Sequence, residues 1–146
     1  MALALTRILL SLLFAVLGFS KVIGLSGNNM QAWTNYVKPR LVIPGTTDPL
    51  PNPDLLAQLA AYGELIGGVM LFIGLFSRLT AFALLLFVIA ATILGHAFWT
   101  FADAGQAYLQ IQQFLKNLAI IGGLLAIVAY GGGGASIDAM FRRQPV

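Results

Sequence analysis

Four ionisable side chains interrupt the apolar stretches of this 146-residue chain: Lys21, Glu64, His96 and Lys116. Each of them lies in a different hydrophobic stretch. Side chains of these types can exchange protons, form ion pairs and donate hydrogen bonds to a ligand. A charge at the centre of a bilayer costs about 2.5–3.5 kcal/mol on insertion scales, so each of the four needs a partner or a purpose there. They are therefore the first candidates for a functional site.

The composition is typical of a membrane domain. Hydrophobic residues make up 59% of the chain and charged residues only 9%, whereas soluble domains average about 25% charged residues. The length suits one domain over residues 1–146, with room for about four spans of roughly 20 residues. The absence of cysteine excludes disulfides and thiolate metal sites, and we expect no metal site of another kind. No basic run with interleaved aromatic residues indicates nucleic-acid binding.

Four long apolar runs predict an all-α integral membrane protein built as a four-helix bundle. The predicted spans are residues 8–25, 55–76, 79–99 and 109–130. A signal peptide is the alternative for the first run, but that run lacks an A-x-A cleavage pattern and continues past Lys21. Four prolines occur between residues 44 and 53 and oppose a long helix in the second half of the loop at residues 26–54.

The distribution of charges predicts the orientation of the bundle. The side with both termini and the 77–78 turn carries four arginines against one acid, Asp138, whereas the opposite side is richer in acids. The positive-inside rule therefore places both termini in the cytoplasm and the long first loop outside. On the inner side, we expect Arg7, Arg78 and Asp138 to fasten the C-terminal segment to the bundle through ion pairs.

This topology brings the ionisable residues into one leaflet. At 1.5 Å per residue, Lys21 and His96 lie about 5–6 Å from the outer helix ends, Lys116 about 10 Å and Glu64 about 15 Å. Small residues on the face of Glu64 indicate that it faces another helix. We therefore predict one shared site, with Glu64 and His96 as a catalytic proton relay. The predicted ligand-binding residues are Lys21, Gln113, Lys116 and Asn117.

Structural interpretations of the same residues remain open. Lys21 and Lys116 could extend to the outer headgroups, and His96 could be an interfacial residue beside Trp99. Glu64 is too deep for that, so its structural alternative is an ion pair with Lys21 or Lys116, or a protonated buried acid. Transport of a small solute is less favoured, because the second span offers only apolar residues and glycine between Glu64 and its inner end.

The order of several motifs resembles the DoxX family of small four-helix membrane proteins. The matching pieces are Phe14-x-x-x-Gly18-x-x-Lys21, Glu64-x-x-Gly67-Gly68, the run from Gly74 to Arg78, His96, the run from Phe114 to Ala119, and Gly131 to Gly134 with Ser136-Ile137-Asp138. These pieces cover nearly the whole chain. The family often has a proline in the final glycine motif, and this chain has glycine there instead.

The resemblance implies a redox association in the bacterial inner membrane. Related proteins resemble the quinone-reducing membrane subunit of thiosulfate oxidation, and others look like anchors for soluble sulfurtransferase or superoxide-handling partners. The implied function is a membrane subunit or anchor of a quinone-linked redox complex. Quinone would be its substrate, it would have no intrinsic cofactor, and a soluble redox or sulfurtransferase partner would dock at the outer face. Its oligomeric state is open. The alternative is a non-enzymatic scaffold or assembly factor for a periplasmic or peripheral partner.

Overall fold

A computed structural model describes residues 1–23, 30–43 and 46–142, apart from the side chain of residue 142. Helices dominate these ranges. They are α1 (Ala2–Ile23), α2 (Met30–Val37), α3 (Pro53–Ile73), α4 (Ser77–Gly95), α5 (Ala104–Tyr130) and α6 (Ile137–Arg142), with short 3-10 turns at Lys38–Arg40 and Phe98–Thr100. One isolated antiparallel bridge in the described ranges pairs Val42 with Pro49.

Four of the described helices, α1, α3, α4 and α5, are long and apolar enough to cross a membrane. This confirms the predicted all-α, four-span class. The helix ends differ from the predicted ones because they are set by local features, a capping side chain in one case and a glycine in the other. The Asp103 side chain accepts a hydrogen bond from the backbone N–H of Gln106 at 2.8 Å and starts α5 before its apolar run. Gly74 adopts a left-handed conformation with φ of 72° and ends α3 after Ile73.

Small residues bring α1 and α3 into close contact. Gly18 lies against the backbone of Leu65, and Gly68 lies against the backbone of Ala15. A side chain at either glycine would overlap the facing main chain, so this approach depends on glycine. The helices α4 and α5 form a second close pair. The two pairs meet in a buried core that contains Phe14, Leu71, Leu84, Leu85, Val88, Ile120, Leu124 and Ile127.

One end of the bundle is covered by α2, and we call it the α2 end. This short helix packs on α1 and α3, and Trp33 Nε1 donates a hydrogen bond to the Ala57 carbonyl at 2.9 Å. The apolar periodicity of the sequence gave no indication of this helix, and the prolines opposed a long helix only in the second half of the loop. At eight residues, α2 is too short to stand out from sequence and too short to be stable alone in water. Its position therefore depends on packing against the long helices.

The opposite end, which we call the terminal end, is built around a buried arginine. Arg7 is only 2% exposed. Its guanidinium donates hydrogen bonds to the carbonyls of Leu71 at 2.6 Å, Phe72, Gly132 at 3.0 Å and Ala135 at 2.6 Å. The last carbonyls of a helix have no partner within that helix. Arg7 therefore supplies donors to the end of α3 and holds the chain that follows α5 against α1.

Asp138 has the complementary role at the same end. Its carboxylate accepts hydrogen bonds from the backbone N–H groups of Phe76 at 2.8 Å and Ser77 at 2.7 Å. An acid at the start of a helix satisfies unpaired N–H groups and interacts favourably with the helix dipole. The same carboxylate attracts the Arg7 guanidinium electrostatically. Asp138 thereby ties the C-terminal segment to the start of α4.

The predicted fastening cluster of Arg7, Arg78 and Asp138 does lie at the terminal end, but main-chain groups supply most of its hydrogen-bond partners. Arg78 donates to the Ala129 carbonyl at 3.2 Å, near the end of α5. Side-chain-to-backbone hydrogen bonds are prominent there because several helix ends meet and leave polar groups without a partner in their own helix. They accompany the attraction between Arg7 and Asp138, and fastening through ion pairs stays a prediction.

We expect Gly18→Ala to destabilise the bundle, because the added methyl group would overlap the Leu65 backbone. Overpacking of this kind costs about 1–3 kcal/mol. The measurement is the thermal unfolding midpoint of the purified protein in detergent. Gly122→Ala is the matched control, since a Cβ there meets no atom within 4 Å. Equal midpoints for the two variants would contradict the close packing of α1 on α3.

We expect Arg7→Met to lower stability by about 3 kcal/mol or more, because each buried carbonyl left without a donor costs about 1–3 kcal/mol. Arg78→Met removes one exposed hydrogen bond and serves as the control, with an expected loss of about 0.5–1.5 kcal/mol. Both losses can be read from unfolding midpoints and from the amount of protein in the membrane. Similar effects of the two substitutions would show that the Arg7 contacts are not central to stability.

Candidate functional site

A cavity of about 540 Å³ lies between the two helix pairs near the α2 end. Its floor includes Phe14, Val88 and Ile120 from the core, and α2 with the segment after it forms its roof. Most of its wall is apolar. The polar part of the wall contains all six predicted site residues: Lys21, Glu64, His96, Gln113, Lys116 and Asn117. The structure thus brings the predicted residues to one cavity, while their roles remain predictions.

Lys21 and Glu64 form an ion pair on one wall of the cavity. The Lys21 ammonium donates to Glu64 Oε2, and the two side chains are 18% and 4% exposed. The pair forms because Gly18 and Gly68 bring α1 and α3 close together, with Lys21 and Glu64 at facing positions. Lys21 therefore does not simply extend to the headgroups. The geometry fits the structural interpretation of Glu64 as a paired acid and also exposes the pair to the cavity.

The roof of the cavity contacts this ion pair through Trp33. The Lys21 ammonium lies 4.3 Å from the centroid of the Trp33 ring, which is within the range of a cation–π interaction. The indole N–H is bound to the Ala57 carbonyl, so the ring is fixed from both sides. Trp33 was not among the predicted site residues. Its only sequence signal is an aromatic residue in a polar loop, and that pattern is also typical of the membrane interface.

A second aromatic–cation contact lies beside it in the roof. The Arg40 guanidinium carbon lies 4.0 Å from the centroid of the Tyr36 ring, and Arg40 Nη1 donates to the Tyr36 carbonyl. Both residues line the cavity. Sequence reasoning did not place Arg40 in the site, because its position depends on the fold of α2 and the turn after it.

The opposite wall carries hydrogen bonds between α4 and α5. His96 Nδ1 and Gln110 Oε1 are 2.8 Å apart. An amide oxygen only accepts, so Nδ1 carries the proton, and Nε2 makes no hydrogen bond to a described residue. Asn117 Nδ2 donates to Thr92 Oγ1 at 2.9 Å. Gln110 was not predicted, although it shares a face of α5 with Gln113 by helical spacing.

Lys116 lines the cavity but contacts Gln113, one turn away, instead of Glu64. Its ammonium donates to Gln113 Oε1, and it forms no ion pair with a carboxylate of the described residues. The four predicted ionisable residues thus fall into one paired set, Lys21 with Glu64, and two that face the same cavity separately. Among the described residues, no group of three His, Cys, Asp or Glu side chains is placed to hold a metal ion.

Some of the residues that line the cavity are exposed. Leu17 on α1, Leu59 on α3 and Ala90 on α4 are examples. The cavity is therefore not fully enclosed by the four long helices.

Four long apolar helices around a largely apolar cavity with one polar side define a small polytopic membrane protein. The DoxX family model matches residues 2–97, and the chain belongs to this family. The SURF4 family model matches residues 58–143.

Two curated relatives come from Escherichia coli (strain K12). Inner membrane protein YqjF is 29% identical over 138 residues, which cover 94% of this chain and 90% of that protein. Inner membrane protein YphA is 26% identical over 136 residues, which cover 93% of this chain and 87% of that protein. No solved structure matches the chain. Together with the four apolar helices, these relatives confirm a multi-pass inner-membrane protein.

We expect Lys21→Met to destabilise the protein by about 3–5 kcal/mol, because it leaves the Glu64 carboxylate buried without its partner. The double variant Lys21→Met/Glu64→Met should recover much of this loss, since both charges are then gone. Unfolding midpoints of the two single variants and the double variant give the coupling between the residues.

Lys38→Met is the control for this cycle. Lys38 pairs with Asp54 at 2.9 Å, but the two side chains are 50% and 57% exposed. An exposed pair contributes about 1 kcal/mol at most. If Lys21→Met were as mild as Lys38→Met, the buried pair would not be a central interaction.

Proposed function

We propose that this protein is an inner-membrane subunit or anchor of a quinone-linked redox complex, and that its cavity binds the quinone ring. The observation that supports this is a cavity that combines apolar walls with a polar side. Small-molecule sites typically combine such walls with a few placed polar groups. A quinone has the same division, with two carbonyl oxygens on a ring and an apolar tail.

The polar side offers both donors and a proton acceptor. Gln113 accepts from Lys116 through its oxygen, so its amide N–H groups can donate to a quinone carbonyl. His96 with the proton on Nδ1 presents Nε2, which accepts a proton from a quinol hydroxyl. When doubly protonated, the same nitrogen donates to a quinone carbonyl. His96 can therefore act in either direction of the reaction.

Reduction of a quinone to a quinol consumes two electrons and two protons. In this proposal the protons pass through side chains of this protein, and the electrons come from a partner. His96 and Glu64 line the cavity and are the proposed proton relay. The chain has no cysteine and a single histidine, so it cannot provide the ligands of an iron–sulfur cluster. We assign the electrons to a soluble redox or sulfurtransferase partner that docks at the α2 end, on the outer side of the membrane.

The apolar lining also favours a lipophilic substrate. Leu17, Leu59 and Ala90 line the cavity and are exposed. In this proposal the apolar tail passes these residues and remains in lipid while the ring enters the cavity.

A scaffold without redox function is the second candidate. The observation that favours it is the network in which the Lys21–Glu64 pair contacts Trp33, since this network fixes α2 on the bundle. In that case the ion pair specifies helix pairing, and α2 with the following segment holds the partner. Glu64→Gln would then lower the amount of protein without a redox defect at matched expression.

We expect His96→Ala to weaken binding of a quinone analogue by about three- to tenfold, which corresponds to the loss of one hydrogen bond. We expect Glu64→Gln to weaken it by a similar factor, because the Lys21 ammonium in the cavity wall loses its carboxylate partner. The measurement is a binding titration of the purified protein in detergent. Gln112→Ala is the control, because Gln112 is exposed on α5 and does not line the cavity. Thermal unfolding of each variant verifies that it is folded. Unchanged affinity in both site variants would refute this site.

A further inference from the structure

The cavity has a surplus of positive charge. Its lining includes three cations, Lys21, Arg40 and Lys116, but Glu64 as its single carboxylate. Lys21 and Glu64 neutralise each other as an ion pair. Arg40 and Lys116 remain, so the lining carries two positive charges that its own acid does not balance.

The other acids of the chain do not supply the missing charge. The sequence has five acidic residues, all within the described ranges, and the four besides Glu64 lie outside the lining. Asp54 pairs with Lys38, Asp103 caps α5 and Asp138 caps α4. The two cations therefore have no carboxylate of this chain within the cavity.

Both cations are held by neutral groups that leave their charge uncompensated. Lys116 donates to the amide oxygen of Gln113. Arg40 donates to the Tyr36 carbonyl and lies over the Tyr36 ring. These contacts do not cancel the two charges. Lys116 is exposed and Arg40 is half-buried, so both charged groups remain accessible to an anionic ligand that enters the cavity.

We infer that the cavity binds a lipophilic anion, with a carboxylate or phosphate group against Lys116 and Arg40 and an apolar body along the remaining wall. Guanidinium groups suit such oxyanions because they can donate two parallel hydrogen bonds. This goes beyond the quinone proposal, because charge and not redox chemistry selects the ligand. The two proposals can fail independently.

Two sources in a membrane carry this chemistry, a free long-chain acid and the headgroup of an anionic phospholipid. The cavity, at about 540 Å³, is in the range of sites for drug-sized molecules. A free acid would place its head and part of its chain inside. A phospholipid would insert its headgroup and leave its chains in the bilayer, past Leu17 and Leu59.

The test uses the full chain in nanodiscs of zwitterionic phosphatidylcholine, titrated with a fluorescent polyunsaturated fatty acid and, separately, with its methyl ester. We expect the acid to bind at least about tenfold more tightly than the ester, because the acid forms a hydrogen bond between charged groups that the ester cannot form. Lys116→Gln and Arg40→Gln should each reduce this preference, and Lys116→Arg should keep it. Lys38→Gln, at a cation outside the lining, should leave it unchanged.

A second arm identifies the source. Nanodiscs with phosphatidylglycerol should compete with the acid if the headgroup is the ligand, and native mass spectrometry should then find that lipid retained by the wild-type protein and lost from Lys116→Gln. If neither anion is preferred over its neutral counterpart, or if the preference survives both charge-removing substitutions, the inference is overturned. Titration of a quinone analogue in the same nanodiscs tests the redox proposal separately.

Discussion

Inside a bilayer, a charge or a backbone polar group has no water to bind, so the protein must supply its partner. This constraint explains two contacts of charged side chains in the structure. Near the α2 end, the Glu64 carboxylate is paired with Lys21. At the terminal end, the Arg7 guanidinium is surrounded by main-chain carbonyls. Both contacts need α1 within reach of α3, and the glycines between these two helices provide that reach.

The same constraint shapes the cavity. The close pairing of α1 with α3 and of α4 with α5 leaves space between the pairs near the α2 end, where the core ends at Phe14 and Ile120. Polar residues can lie there because neighbouring side chains are their hydrogen-bond partners. Asn117, for example, donates a hydrogen bond to Thr92. Lys116 lines the cavity and is exposed. Its ammonium donates to the amide oxygen of Gln113 and pairs with no carboxylate of the described residues. A ligand therefore meets a wall whose polarity is concentrated on one side.

Hydropathy predicted the four spans, because a run of about 20 apolar residues is long enough as a helix to cross the hydrocarbon core of a bilayer. Counting residues from the helix ends was enough to place Lys21, Glu64, His96 and Lys116 at one cavity. It left open which lysine pairs with Glu64. Lys21 forms that pair, whereas Lys116 contacts Gln113. The partners of Arg7 could not be predicted either. They are backbone carbonyls, which every residue has, so no residue type in the sequence indicates them. The covering helix α2 was missed, since eight residues carry too little periodicity.

Arg7 has a consequence for the order of assembly during translation. Its carbonyl partners Gly132 and Ala135 lie 125 and 128 residues later in the chain. The first helix thus enters the membrane with a guanidinium whose hydrogen bonds cannot be completed until the ribosome has delivered the segment after α5. Until then, the Arg7 guanidinium lacks two of its carbonyl partners. Completion of the bundle is in this way coupled to synthesis of its last helices.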